Sequence, residues 1–227
     1  MVHHRLPELA AHVFVDDLDG PELCPDDAHH LTRVLRLRDG EQFSAGDGAG
    51  RWRLCAMRGD AAVDALGPIE TLAPASPWIS VAFALTKGDK PEFTVQKLTE
   101  LGVDRIVPVS AARSVVRWDE AKSARNVQRW RAVARAAAMQ SRRAWLPIVD
   151  DVTSLIELTP AFALAHPDGG VLSLATPAVA IGPEGGWADG ELASAVALVD
   201  LGPTTLRAET AALAVGARLT ALRTGGI

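Results

Sequence analysis

The sequence predicts an α/β protein whose larger domain is built on parallel strands, preceded by a small β-rich domain. Three observations carry this reading. Up to about residue 72 the chain alternates short β-like runs with turn residues; from Trp78 onward it alternates apolar strand-like runs with helical patterns. Between them APASP, residues 73 to 77, continues neither periodicity and marks a linker. The expected domains are therefore residues 1–73, a small barrel, and residues 74–227, the α/β domain.

In the first domain the expected strands are HVFVDD, EQFSAGDG joined to RWRLCAM, and AAVDAL. One helix interrupts them, DDAHHLTRVLR from Asp26, whose spacing turns Leu31, Val34 and Leu35 inward and Arg33 and Arg36 outward. Beyond the linker come WISVAFAL, a helix from Asp89 to Leu101, VDRIVPV and a long helix near 119–140. Asp89 with Glu92 reads as a capping box, Pro91 sits in the first turn, and Gly102 reads as the C-terminal cap. AFALAHP, PAVAIG and ALVDLG read as buried parallel strands, with one helix after Asp189 and a last one beginning near Leu206.

Composition narrows the function classes. No apolar run approaches the roughly 18 residues of a membrane span, and the N-terminus, with Arg5 and Glu8, lacks the apolar core of a signal peptide. Two cysteines, Cys24 and Cys55, are too few for a disulfide framework or a zinc site, which fits a reducing cytoplasm. His3, His4, His12, His29, His30 and His166 show no metal-ligand spacing, so no metal is expected. The net charge is −5, yet residues 87 to 145 hold 13 Lys/Arg against 6 Asp/Glu, and residues 146 to 227 hold 3 against 9. One basic face on an acidic protein can attract phosphates, because surface fields are local on the scale of the Debye length. A solvated helix surface accounts for the same charges.

Three stretches could carry chemistry. IGPEGGW, residues 181 to 187, places glycines at the end of a strand, where backbone can approach a ligand. It has neither GxGxxG spacing nor the Gly-Lys-Ser/Thr of a phosphate loop, and an ordinary tight turn has the same composition. LGPTTLRAETAALA, residues 201 to 214, runs from a strand end through Arg207, Glu209 and Thr210 into a helix. Two such loops predict one crevice at the C-terminal edge of the sheet. In RNVQRWRAVARAAAMQSRR, residues 125 to 143, helical spacing gathers Val127, Trp130, Ala134 and Ala137 on one face. Arg131, Arg135 and Arg142 lie along an adjoining stripe that can grip a phosphate backbone. Trp130 at this spacing reads as core before it reads as a base-stacking platform.

KGDKPEFTVQKLTELGVDRIVPV, AAAMQSRRAWLP, LAHP, IGPEGGW and LGPTTLRAETAALA, in this order, resemble the RsmE family of 16S rRNA uracil-N3 methyltransferases over nearly the whole chain. The resemblance implies a PUA-like N-terminal domain that helps bind RNA and a C-terminal SPOUT methyltransferase domain with a trefoil knot, a rare exception to the rule against knotted chains. It implies S-adenosyl-L-methionine as cofactor, held by Leu164, His166, Ile181, Gly182, Pro183, Glu184, Gly185, Gly186, Leu201, Gly202, Leu206, Thr210 and Ala211. Leu201 and Leu206 are expected to form apolar walls, and the glycines to bring backbone close to the ligand. Arg207 is expected to stabilise negative charge on the uracil, and Glu209 to accept or position its proton. Arg33, Arg36, Arg113, Arg131, Arg135, Gln140 and Arg143 are expected to touch 16S rRNA of the small ribosomal subunit. A homodimer is also implied, with Arg113 or Arg143 crossing to the partner's site and ALAVGARLTAL, around Gly216, available for close helix packing. Thr204 and Ala112 depart from the family pattern, which often has a basic residue at the first and a glutamate at the second. A non-catalytic rRNA-binding protein, or a related enzyme acting on another RNA position, are the alternative functions.

Overall fold

The computed structural model describes residues 6–59 and 61–226; His3 and His4 lie outside them. The chain forms two compact units, Met1–Ala75 with Ala138–Leu146, and Ser76–Ala137 with Pro147–Ile227.

The first unit holds a four-stranded sheet in the order β1 (His12–Phe14), β2 (Gln42–Gly46), β3 (Arg51–Arg58), β4 (Ala62–Thr71). β1 pairs with β2 in parallel, and the other pairs are antiparallel. The β2–β3 turn is built on Asp47, whose carboxylate accepts the amides of Ala49 and Arg51 at 2.7 and 3.1 Å. Val13, Leu31, Phe43 and Cys55 are fully buried in the core of this unit. Burial pushes the Cys55 thiol up from 9.0 to about 11, against smaller opposing effects of Arg53 and a hydrogen bond to the Ala45 backbone. The neutral thiol is thus the form that suits the folded state. Its contribution to stability is complete below 9.0 and is lost as the pH rises toward about 11. A thiol reagent applied at mildly alkaline pH is expected to label exposed Cys24 and spare Cys55, with mass spectrometry of the intact protein as the readout.

α1 (Pro25–His29) runs directly into a single π turn, His30–Val34. Of the three residues expected to face inward only Leu31 does; Val34 is 60% exposed and Leu35 43%. The Leu35 amide bonds to the His30 carbonyl, five residues back, at 2.9 Å. The wider turn breaks the three- and four-residue spacing on which the inward assignment rested. Arg36 follows in the left-handed region at φ 56°.

The second unit contains, in chain order, β5 (Ser80–Ala84), α2 (Lys90–Glu100), β6 (Arg105–Ser110), α3 (Glu120–Gln140, of which residues to Ala137 belong here), β7 (Ile148–Val149), β8 (Thr153–Ser154), β9 (Ala163–Val171), β10 (Ala178–Ile181), α4 (Asp189–Ala193), β11 (Leu198–Asp200) and α5 (Ala208–Thr224). The strand order is β11-β9-β10-β5-β6-β7, with β8 also on β6, and every pairing is parallel. Both faces are covered, as a parallel sheet requires. Val81 and Phe83 pack with Leu98, Trp130 and Val215 from α2, α3 and α5; Ala82 and Ala84 pack with Leu155, Phe162 and Trp187. Trp130 is core, 2% exposed and edge-on to Phe83.

α2 ends as expected and begins otherwise. The Gly102 and Val103 amides reach back to the carbonyls of Thr99 and Leu98, both at 3.0 Å, with Gly102 at φ 89°. That is a Schellman end, which requires the left-handed region at this residue. Asp89, by contrast, makes no side-chain cap. Its backbone is already helical and its carbonyl accepts the Phe93 amide at 3.0 Å, whereas a side-chain cap needs an extended residue. Gly216 packs inside the subunit: a Cβ there would meet Leu98 at 2.9 Å and Val103 at 3.2 Å.

Candidate active site

β9, β10 and β11 lie side by side and in parallel, so the segments that follow their C-terminal ends come out on one edge of the sheet. There the segments after β10 and β11, with Ala165, His166 and Pro167 from within β9, line a cavity of about 510 Å³. Ile181, Leu201, Leu206, Ala208 and Ala211 supply apolar walls, and Glu184, Asp189 and Asp200 bring carboxylates, with Arg113 and His166 also in the lining.

The loop after β10 is a turn closed by the Gly186 amide on the Pro183 carbonyl at 2.9 Å, with Gly186 at φ 69°. In the loop after β11 Gly202 stands at φ 124° and donates its amide to the Asp200 carboxylate at 3.0 Å. No atom lies within 4 Å of a Cβ built on either glycine, so both leave open space beside the cavity. The other two glycines serve packing. A Cβ on Gly182 would lie 3.0 Å from the Trp187 indole, whose Nε1 donates to the Ala165 carbonyl at 3.2 Å. A Cβ on Gly185 would lie 3.3 Å from Arg113.

Of the residues expected to hold the cofactor, His166, Ile181, Gly182, Pro183, Glu184, Gly186, Leu201, Gly202, Leu206 and Ala211 line this cavity. Leu164, Gly185 and Thr210 are not among its lining residues: Leu164 is fully buried in the core, and Thr210 is exposed on α5. Trp187, Asp189, Asp200 and Thr204 also line it and were not among the residues expected to hold the cofactor. Thr204, where the chain departs from the family pattern, therefore stands in the cavity wall.

Arg207 is the N-cap residue of α5. Its carbonyl accepts the Ala211 amide at 2.8 Å, while its guanidinium is exposed and has no ion-pair partner among the described residues. Glu209 is held differently. Oε1 lies 3.4 Å from Lys90 Nζ, and Oε2 is buried without a hydrogen-bond partner among the described residues. Neither residue belongs to the lining, but Leu206 and Ala208 beside them do.

The basic residues divide by their engagements. Arg113 lines the cavity, with Nη1 3.5 Å from the Gly185 carbonyl. Arg131 donates to the Val149 carbonyl at 3.0 Å and pairs with Asp151 at 3.1 Å, with half of its side chain still exposed. Arg135 and Arg143 are half-buried and have partners. In the first unit Arg33, Arg36 and Gln140 are exposed. Among the described residues no group of His, Cys, Asp or Glu is arranged to hold a metal, and no helix is long and apolar enough to cross a membrane.

Residues 74–220 match the family described as RNA methyltransferase domain, and residues 23–59 the family described as RNA methyltransferase PUA domain. Ribosomal RNA small subunit methyltransferase E of Mycobacterium tuberculosis is 36% identical over 239 residues, covering 93% of this chain and 87% of that one. The chain belongs to the ribosomal RNA small subunit methyltransferase E family. Two solved structures agree with this membership. One is the family's enzyme from Neisseria gonorrhoeae bound to S-adenosyl methionine, with TM-score 0.76 and 27% identity over 93% of this chain and 97% of that one. The other is a Legionella pneumophila protein solved with the cofactor SAM, with TM-score 0.79 and 27% identity over 92% and 96%. The SPOUT-type parallel sheet and the PUA-like N-terminal unit are thus family features of this chain.

Proposed function

We propose that this chain methylates N3 of a uridine in 16S rRNA of the small ribosomal subunit, using S-adenosyl-L-methionine, as a cytoplasmic step of ribosome biogenesis. The observation that carries the reading is the cavity at the C-terminal edge of the sheet. Its volume of about 510 Å³ falls in the range of small-molecule sites. Its apolar walls suit an adenine ring, and its carboxylates suit a ligand with a cationic sulfonium and an ammonium group. The family's enzyme from Neisseria gonorrhoeae was solved with the same cofactor. Four stretches of chain line the cavity, at Arg113 and within residues 165–167, 181–192 and 200–211, and the trefoil knot belongs to the last two of them.

When bound, the cofactor supplies an electrophilic methyl group. The chain's own residues orient the acceptor, and the uracil N3 proton passes to solvent water. Arg207, with its guanidinium free at the start of α5, stabilises the negative charge that grows on the uracil as that proton leaves. Glu209 serves as positioner, since Lys90 already holds one of its oxygens. Arg113 at the cavity and Arg33, Arg36, Gln140 and Arg143 on the first unit contact RNA, and Arg135 adds charge to the same long helix. Arg131, committed to Val149 and Asp151, contributes by holding β7.

The active form is a homodimer. Gly216 faces α2, which leaves Leu213, Ala217 and Ala221 on α5 as an incompletely buried apolar row for a second copy. Light scattering is expected to give a dimer, and an active monomer would exclude it.

Two measurements test the function. S-adenosylmethionine is expected to raise the melting temperature; no rise, with methylation absent, leaves only an RNA-binding protein. Labelled cofactor incubated with small subunits from cells lacking the protein is expected to mark a single uridine at N3. A label on ribose or another base would reassign the acceptor.

A further inference from the structure

Glu191, in α4, is a carboxylate only 7% exposed, and both of its oxygens accept backbone amides from different loops. Oε2 takes the Ala188 amide at 2.8 Å, closing the first turn of α4 after the glycine loop. Oε1 takes the Ala112 amide at 2.8 Å, on the segment that follows β6. In the sheet β10 and β6 are separated by β5, so this one side chain spans the end of a strand to join two loops that do not neighbour each other. Without it the two amides would compete for water or stay unpaired, and a buried unpaired amide is costly.

The loops meet at a second point, and that point is in the cavity. Arg113, the residue after Ala112, lies against Gly185, with Nη1 directed at the Gly185 carbonyl. The absence of a side chain at Gly185 is what admits it, since a Cβ there would stand 3.3 Å from both the Cβ and the carbonyl oxygen of Arg113.

We infer that Glu191 is a positioning residue: by clamping the Ala112 amide to the start of α4 it fixes Arg113 over the glycine loop, and so sets the geometry of the acceptor side of the cavity. The inference rests on the proposed function only in taking Arg113 as an RNA contact. Glu191 touches neither ligand; it acts through Arg113. Its carboxylate is needed for a definite reason. Glutamine has the same shape, but one of its two ends is a donor, so either Ala112 or Ala188 would face another N–H.

The test is a double-mutant cycle of Glu191→Gln and Arg113→Ala, read as cofactor affinity and stoichiometry by calorimetry and as kcat and KM for the RNA substrate at saturating cofactor. Wild-type binding and turnover stand as the separate check of the proposed function. Glu191→Gln is expected to keep one cofactor per chain and to lose about tenfold in kcat/KM for RNA, because the loosened loop no longer holds Arg113 in the productive geometry. In the Arg113→Ala background the same change is expected to cost almost nothing more. Equal losses in both backgrounds, or a fall in stoichiometry with kcat/KM per folded molecule unchanged, would make Glu191 a purely structural cap and overturn the inference. If Glu191→Gln folds poorly, Gly185→Ala perturbs the same contact from the other side and is expected to raise KM for RNA; an unchanged KM would count against the clamp.

Discussion

Replacing Arg207 by alanine is expected to lower kcat for methyl transfer about 10²–10³-fold while cofactor affinity stays the same, the loss typical of a donor that stabilises developing negative charge. Through its side chain Arg207 holds no other described residue in place. Its carbonyl is used by the Ala211 amide, but its guanidinium is exposed and has no ion-pair partner among the described residues, so removal leaves no buried charge uncompensated. Folding should be nearly untouched. The side chain also lies outside the cavity lining, which separates its loss from cofactor binding. Lysine at the same position keeps the charge but not the planar fork and is expected to recover only part of the rate. Glu209→Gln provides the contrast. Because Glu209 positions and does not accept the proton, the variant is expected to retain most of kcat and the shape of its pH profile, and a profile that lost its acid limb would make Glu209 the base. An unchanged kcat in Arg207→Ala would remove Arg207 from the reaction.

The crevice was legible in the sequence, because it depends on short-range information: a strand end, a glycine, a helix start; Arg207 and Glu209 stand beside it at the start of α5 without lining it. The places where the sequence reading failed share a different physics. Val34 and Leu35 read as core by helical spacing, but one π turn changed the phase of that spacing and left them exposed. Asp89 and Glu92 have the spacing of a capping box, yet Asp89 is already helical and cannot cap. Gly216 read equally well as a dimer contact or as core, and only the packing of α5 on α2 against Leu98 and Val103 places it. Arg131 also engages Val149 and Asp151 across a turn, partners that helical spacing does not report. Glu191 gave no signal beyond a first-turn glutamate, since its second partner is Ala112, 79 residues away. What periodicity cannot report is which distant segments the strand order brings together.

Gly169 shows the same limit with a larger consequence, and Gly169→Val is expected to be among the most damaging single changes in the chain. In the sequence it is one of two glycines just past the expected strand AFALAHP. In the structure it lies within β9, beside edge strand β11. The pairing of these strands shifts register, from Leu198 opposite Leu164 to Val199 opposite Gly170. At that irregularity the two backbones approach so closely that a Cβ on Gly169 would fall within the backbone of Val199 and Asp200. The obstacle is main chain, which has no rotamer to yield, so β11 itself must move. Overpacking commonly costs about 1–3 kcal/mol, and this site should stand at or above the upper end. Val199 is core, while Asp200, Leu201 and Gly202, which follow it, line the cavity. Displacing β11 therefore damages stability and site together. Thermal unfolding of Gly169→Val should show a melting temperature lowered by several degrees or more, and calorimetry should show cofactor affinity lost even well below the transition. Gly170 is the control: a Cβ there would have only the Leu198 carbonyl at 4.0 Å, so Gly170→Ala should bind cofactor almost normally. If Gly169→Val melted and bound like the unaltered protein, the close approach of β9 to β11 would not hold the cavity wall in place.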